Sequence, residues 1–473
     1  MIPAAGRLEA GLYACLLAVL VWAPLPFASN RVWGAMLLTS LVAALCLAWG
    51  LLFARGAVGL EAGVWRRGRW PLALLCLVQL WVWLQTVNLP RELVTLLSPL
   101  AAAWHVREGA VPLSLDVEHT RLYLLRGLAF TGGFFLTLAL VNSAARVRLL
   151  LQTLVLSGTL QALYGAAMVL WGLELGFFVE KYAGRGAATG TFVNSNHLAG
   201  YLVLCLAAGT GLLLSRLSTG GASSWRAAAR RWLRLMLSPK MRLRVYLAVM
   251  VIALVMTRSR MGNIAFFLSL GVAGTVALVA GRHFSWRIVL FLGSLFAVDL
   301  LILGRWFGFR QLLVRLEQTV PGGEERVEYL GPGLQYLGDF SLTGSGGGSW
   351  YGVFPNYQPQ SIRGLVDHAH NDYLEFAAEL GLPALLALGV LVLASAWQAW
   401  RVQRERRHPL YRGAGFAVIM ACSWLLLHSM VDFSMQIPAN ALTACVLLAV
   451  AWVCRGLPAD TARRSGCSAN SVT

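Results

Sequence analysis

The chain has 473 residues, of which 58% are hydrophobic and only 13% charged, with 18 tryptophans and a mean hydropathy of +0.65. A soluble domain carries roughly 25% charged residues, so the composition excludes a string of soluble domains and describes a polytopic membrane protein. The formal charge of +18, from 39 Lys+Arg against 21 Asp+Glu, would suggest a polyanionic partner in a soluble protein, and its meaning depends on where the charges fall.

Apolar runs of spanning length fall at about 10–28, 33–53, 71–88, 122–141, 149–171, 197–215, 244–258, 261–281, 288–304, 380–400, 413–431 and 439–454. They predict an all-α polytopic membrane protein with about 12 transmembrane helices. A single integral membrane domain would cover 1–458, followed by a disordered tail at 459–473. The first run follows a single Arg7 and lacks a small-residue cleavage site, so it reads as a retained span and not a signal peptide. Cys15, Cys46, Cys76, Cys205, Cys422, Cys445 and Cys454 lie inside or at the ends of these runs, as small core residues and not as a disulfide framework. No fixed-period repeat and no inverted pair of broken spans is evident.

With the N-terminus cytoplasmic, the excess positive charge falls on the cytoplasmic side, most densely in the loop at about 216–244, which has no Asp or Glu. That is the positive-inside pattern, so the charge reports orientation and contact with anionic lipid; nucleic acid is not expected as a partner. Both termini are then cytoplasmic. Three outer segments, at about 89–121, 172–196 and 305–379, are too long and polar to be turns. The largest, between spans nine and ten, is rich in glycine and aromatic residues. Long ordered loops are usually functional, which directs the search for chemistry to the outer face.

The stretch Gly190–Tyr201 enters the sixth span with Asn194, Ser195, Asn196 and His197; it can cap that helix or line a polar cavity. Cations stand in two places: Lys181 and Arg185 in the second outer segment, and Arg258 and Arg260 in the tight turn after the seventh span. Two arginines on the charge-poor side favour an anionic ligand, since guanidinium offers a rigid donor fork for phosphate oxygens. Arg126 and Asp299 are lone charges within spans four and nine and should face protein. Before the tenth span, Asp367, His368, His370, Asn371, Asp372, Glu375 and Glu379 crowd together. His370 with Glu375 or Glu379 could form a general-base pair, His368, His370 and Asp372 could bind a metal, or the group could simply cap a helix.

These stretches resemble the bacterial O-antigen ligase and O-antigen polymerase superfamily, which includes the WaaL-type ligases. The resemblance rests on Gly190–Ala199, on Ser259-Arg260 opening a span, and on the region from Gly344–Gly348 to His370-Asn371. Ligases of this type show His-Asn, nine residues, then Gly-x-x-Gly; here Gly381 is present and Ala384 takes the last place. The resemblance implies a periplasm-facing glycosyltransferase in the bacterial inner membrane, working without a metal or other cofactor and with inversion. Its donor would be a glycan on undecaprenyl diphosphate. On this resemblance His370 is the catalytic base and Arg260 a diphosphate ligand, with Arg185 a second and Arg258 an alternate. Asn371, Asp372, His368, Glu375, Asn194, Asn196 and His197 are supporting residues. The acceptor stays open among lipid A-core, a growing glycan and a protein group. A solute transporter is the competing class, disfavoured because the ionisable residues cluster in outer loops rather than mid-membrane.

Overall fold

In a computed structural model, the described residues are 4–106, 108–181, 184–216, 239–280, 293, 328–362 and 364–458. The long helices are α1 (Ala4–Trp22), α2 (Val32–Ala54), α3 (Ala62–Gln85), α6 (Val117–Leu140), α7 (Ala144–Leu170), α8 (Ser195–Leu214), α9 (Pro239–Met256), α10 (Arg260–Ala280), α14 (Leu382–Glu405), α15 (Pro409–His428) and α16 (Pro438–Gly456). Shorter helices are α4 (Arg91–Leu97), α5 (Pro99–Trp104), α11 (Leu330–Phe340), α12 (Trp350–Val353) and α13 (Asp372–Leu380). A two-residue hairpin, β1 (Leu175–Gly176) with β2 (Val179–Glu180), completes the described elements. The chain is an all-α polytopic membrane protein: eight of these helices are long and apolar enough to cross a bilayer.

The long helices coincide with the expected runs, except that the ninth run, Asp299 with it, lies outside the described residues, as do most of the basic 216–244 loop and the 459–473 tail. The largest difference is at α3, which begins at Ala62 rather than near 71 and carries Arg66, Arg67 and Arg69 on its early turns. Hydropathy finds where a helix enters lipid, whereas the backbone continues helical into the polar region because Arg is a good helix former.

The bundle is organised on α8 and α16. Every residue of α8 from His197 to Leu213 is buried, an all-round burial that leaves no face for lipid. Packing around it relies on small residues. Gly211 of α8 and Gly413 of α15 meet backbone to backbone, and a Cβ on either would overlap the other's carbonyl oxygen. Gly158 of α7 faces Cys205, and Gly133 of α6 faces Leu442 of α16.

A second, smaller core sits outside the bundle. Val94, Ala101, Val111, Tyr336, Phe340, Trp350, Phe354, Leu374 and Ala378 pack together, so the segments around 89–121 and 328–380 form one cap although the sequence separates them widely. Gln85, at the end of α3, ties cap to bundle: its amide donates to the carbonyls of Thr343 and Glu379 at 2.8 and 2.9 Å. At the opposite end of the bundle, Arg455 pairs with Glu405, Arg401 pairs with the same carboxylate, and Arg67 lies in their field.

Gly413→Val forces α8 and α15 apart and is expected to lower stability by about 1–3 kcal/mol, the usual range for overpacking. The thermal unfolding of the detergent-solubilised variant checks this; a transition unchanged from wild type would refute the backbone contact.

Candidate active site

Four of the eight histidines in the chain converge at one end of the bundle, around the connection from α15 to α16. The ring of Phe433 is its hub: His368 stacks on it at 4.0 Å, and His197 and His370 meet it edge-on at 4.6 and 4.9 Å. Beside it the Asp432 carboxylate is 2% exposed. Its Oδ1 lies 3.7 Å from Nδ1 of His370 and 3.8 Å from Nε2 of His197. These separations are too long for hydrogen bonds but short enough for strong charge attraction whenever an imidazole carries a second proton. Burial alone would raise the Asp432 pKa; the neighbouring His197 and His370, with His428 beyond, outweigh it and hold the carboxyl well below its ordinary value. His428 closes the group, its Nδ1 3.2 Å from Ser434 Oγ.

His370 has a left-handed backbone, φ +49°, which is costly for a residue with a side chain and persists only where the surroundings enforce it. The enforcing contacts follow directly: Asn371 caps α13 by accepting from the Leu374 amide, and the Asp372 amide donates to the carbonyl of Ser429 at 2.9 Å. The Asp372 carboxylate accepts from Ser429 Oγ and from the Met435 amide, binding α13 to the α15–α16 connection. Burial, followed by the charge of Glu375, raises the Asp372 pKa well above the ordinary range.

Glu375 does not pair with His370. Its Oε1 is 2.6 Å from His368 Nδ1, and Oε2 accepts from the Ala369 amide at 2.8 Å. The reason is the reversal at His370, which leaves His368 and not His370 facing the first turn of α13. Glu379 lies on the cap side of the same helix, accepting from the Trp350 amide at 2.8 Å. Burial and then Glu375 push its pKa up to about 8. The glycines of 344–348 serve this packing: Gly344, Gly346 and Gly348 have positive φ, and a Cβ at Gly346 would strike Ser114 and Thr120. Gly381, φ +84°, makes the break between α13 and α14 against the Leu342 carbonyl, whereas Ala384 is an ordinary buried helical position where alanine fits.

The cations gather beside the N-termini of α8 and α10. Asn194 caps α8 by accepting from the Asn196 amide at 2.8 Å, and Ser259 Oγ accepts from the Gly262 amide to start α10. Gly262 packs directly on Ala199, so His197 and Arg260 rise from adjoining first turns. Arg258 has φ +55° and lays its guanidinium against Gly186, next to Arg185. Arg258 and Arg260 are exposed. Arg185 is bound to Glu180 at 2.8 Å, and Lys181 is not available as a ligand: it is buried, donating to Glu174 and to the Ala187 carbonyl. Glu174 thereby fixes the loop; burial raises its pKa, but the Gly186 amide and Lys181 bring it below the ordinary value.

Sequence reasoning missed Asp432, Phe433 and His428. The available signal was Asp432 itself, a carboxylate alone in a short outer turn between two spans, one turn from a histidine ending the preceding helix. Among the described residues no group of three or more His, Cys, Asp or Glu could hold a metal ion, so His368, His370 and Asp372 do not form the alternative metal set. The three diverge, towards Glu375, Asp432 and Ser429.

Bundle, cap and histidine cluster together define a membrane-embedded protein whose candidate acid–base residues are gathered at one end of the helices. Residues 245–389 match the model of the O-antigen ligase family, so this region is similar to that family, and the match supports the O-antigen ligase and polymerase superfamily with a glycan-transfer role of that type. The matched region carries Arg258, Arg260, His368, His370 and Glu375. No curated protein matches the chain.

His368 gives a pH signature. Burial lowers its pKa, but the Glu375 charge and hydrogen bond overcome this and raise it to about 9 from the ordinary 6.5. Since the folded value is the higher one, the stability contributed by the pair is complete below pH 6.5 and is lost as pH rises through 9. The melting temperature of wild type relative to His368→Gln should therefore shrink between these limits; a constant difference would contradict a charged pair.

Proposed function

We propose that the protein is a membrane glycosyltransferase of the O-antigen ligase type, moving a glycan from undecaprenyl diphosphate to an acceptor hydroxyl at the periplasmic face of the bacterial inner membrane. The observation that carries this reading is the His370–Asp432 pair: a histidine beside a buried, ionised carboxylate is arranged to accept a proton. His370 takes the acceptor proton, and the acceptor oxygen bonds to the anomeric carbon. The carbon–oxygen bond to the diphosphate breaks, and its electron pair leaves on undecaprenyl diphosphate. Asp432 orients the His370 ring and stabilises the imidazolium that forms.

Attack from the face opposite the leaving group inverts the transferred carbon, and a diphosphate needs charge stabilisation rather than protonation as it departs. Arg260 supplies that stabilisation, with Arg258 beside it. Arg185 takes part by exchanging Glu180 for a phosphate oxygen. With the arginines meeting the diphosphate charge, the proposal routes no step through a metal. Twelve spans with both termini cytoplasmic belong to the same reading, supported by the positive loops and by the basic cluster at the end opposite His370. The acceptor is lipid A-core in the ligase form of the proposal, and the next repeat unit of an O-antigen or exopolysaccharide in the polymerase form.

In a reconstituted assay with lipid-linked glycan, His370→Ala should reduce transfer by at least about 10²-fold. Arg260→Ala should cost about 10²–10³-fold through lost transition-state stabilisation. His368→Ala should have a smaller effect, and Asp432→Asn should alter the pH dependence of the residual rate, which a purely structural role would leave alone. Near-wild-type transfer by the His370 variant would refute the mechanism. Deleting the gene separates the two acceptors: an uncapped lipid A-core indicates a ligase, and a single repeat on the core a polymerase.

A further inference from the structure

A cavity of about 150 Å³ lies between α3, α6, α14 and α16, below the loop that carries Met435 and Gln436. Most of its wall is apolar, including Leu75, Phe130, Leu391, Ala444, Cys445 and Leu448. Beside the Tyr123 phenol, three polar side chains interrupt this wall: Gln79, Arg126 and Gln436. Each has a buried atom without a hydrogen-bond partner, namely Gln79 Oε1, Arg126 Nε and Gln436 Nε2. Gln79 is only 8% exposed. Gly127 makes the grouping possible, because a Cβ there would overlap the Gln79 amide.

Unpartnered polar atoms in an apolar wall, here two donors and the Gln79 acceptor, are costly unless something else satisfies them, and an arginine within a span marks a functional site by default. Arg126 lies four residues past the start of the expected span at 122, about one helical turn or 6 Å inside it, a depth at which a lipid headgroup can reach. The charge and the two amides match phosphate oxygens, with the Gln79 amide able to turn its nitrogen inward. The apolar wall continues towards the bundle interior along α14 and α16 and matches a hydrocarbon chain. Asp299 lies outside the described residues; among the described residues, the neutral phenol of Tyr123 is the titratable neighbour of Arg126.

We propose that this cavity binds the phosphate end of a membrane lipid, with its oxygens on Arg126 and Gln436 and its chain against α14 and α16. The site is separate from the arginines at 258 and 260. It meets the histidine cluster through the Met435–Gln436 loop, whose Met435 amide binds Asp372, and through Phe376, which follows Glu375 on α13. The same chemistry is offered by an isoprenoid phosphate and by a phospholipid, and binding at this site does not depend on glycan transfer.

The test uses full-length protein in nanodiscs of zwitterionic lipid and a diazirine-bearing farnesyl phosphate as photoprobe, with crosslinks mapped by mass spectrometry. Labelling is expected on peptides containing Phe130 and Cys445, and should fall about tenfold in Arg126→Leu, the loss of one charge-assisted hydrogen bond. Arg126→Lys should retain part of it. Gln436→Ala, in a loop rather than a span, gives a second variant should Arg126→Leu fail to fold. Competition by unlabelled farnesyl phosphate but not by phosphatidic acid assigns an isoprenoid ligand, and the reverse a phospholipid; either supports the site. Equal competition by farnesol, labelling unaffected by both variants, or labelling elsewhere would overturn it. Glycan transfer measured on the same preparations is scored separately: transfer that depends on His370 while the labelling test fails would remove this site and leave the proposed function standing.

Discussion

A carboxylate withdrawn from water at the end of a membrane bundle must be stabilised by polar neighbours where it sits, and the arrangement around Asp432 follows from that requirement. An isolated buried carboxylate would either protonate or open its surroundings to water. Here two imidazoles flank it, His197 from the first turn of α8 and His370 from the reversal before α13. Three distant parts of the sequence are drawn together on one charge. Stabilisation is incomplete as a set of hydrogen bonds, since neither imidazole reaches bonding distance and both facing nitrogens stay unpartnered. A fully bonded cluster would be a rigid plug. One held at 3.7 to 3.8 Å leaves room for small ring movements as protons come and go.

The cap makes this geometry durable. His370 sits in a strained backbone conformation, and strain persists only when neighbouring contacts outweigh it. Those contacts come from α13, fixed on one side by Asp372 to the α15–α16 connection and on the other by Glu379 and the glycine loop to the cap core. The α13 carboxylates have divided roles: Asp372 and Glu379 anchor the helix, and Glu375 holds His368. None of the three touches His370. The carboxylate that does comes from a different hairpin of the bundle.

This division explains what the sequence reveals and what it conceals. The helices were legible because lipid imposes a length and a composition on each span, and the Asn194 and Asn371 caps because capping is local, acting over two or three residues. Arg258, Arg260, His368 and His370 stood out because charge on the polar face of a membrane protein is conspicuous. Pairing was another matter. Glu375 lies five residues from His370 and Asp432 lies 62 residues away, so proximity in sequence favoured the wrong carboxylate. Only the packing of α15 against α8 and the left-handed turn at His370 reverse that preference, and neither has a signature in composition or period. The merging of two outer segments into one cap was hidden for the same reason, since its core draws on residues from Val94 to Ala378.

Separation of charge along the bundle links the fold to its chemistry. Arg67, Arg401, Arg406 and Arg455 share one end and restrain one another through Glu405. Among the described residues the other end carries fewer cations, and they are placed differently: Lys181 is spent inside its loop, while Arg258 and Arg260 stand exposed at the start of α10. A helix N-terminus already favours anions through its free amides, although here Ser259 satisfies one of them. Two exposed guanidinium groups at that point add a field that an anion feels before it makes any contact. Asp432 lies in the neighbouring cluster, with the imidazoles of His197 and His370 against its carboxylate. Asp432 therefore draws His197 and His370 to the same end of the bundle at which Arg258 and Arg260 stand exposed, and the packing of α8 on α10 through Ala199 and Gly262 holds the two groups side by side.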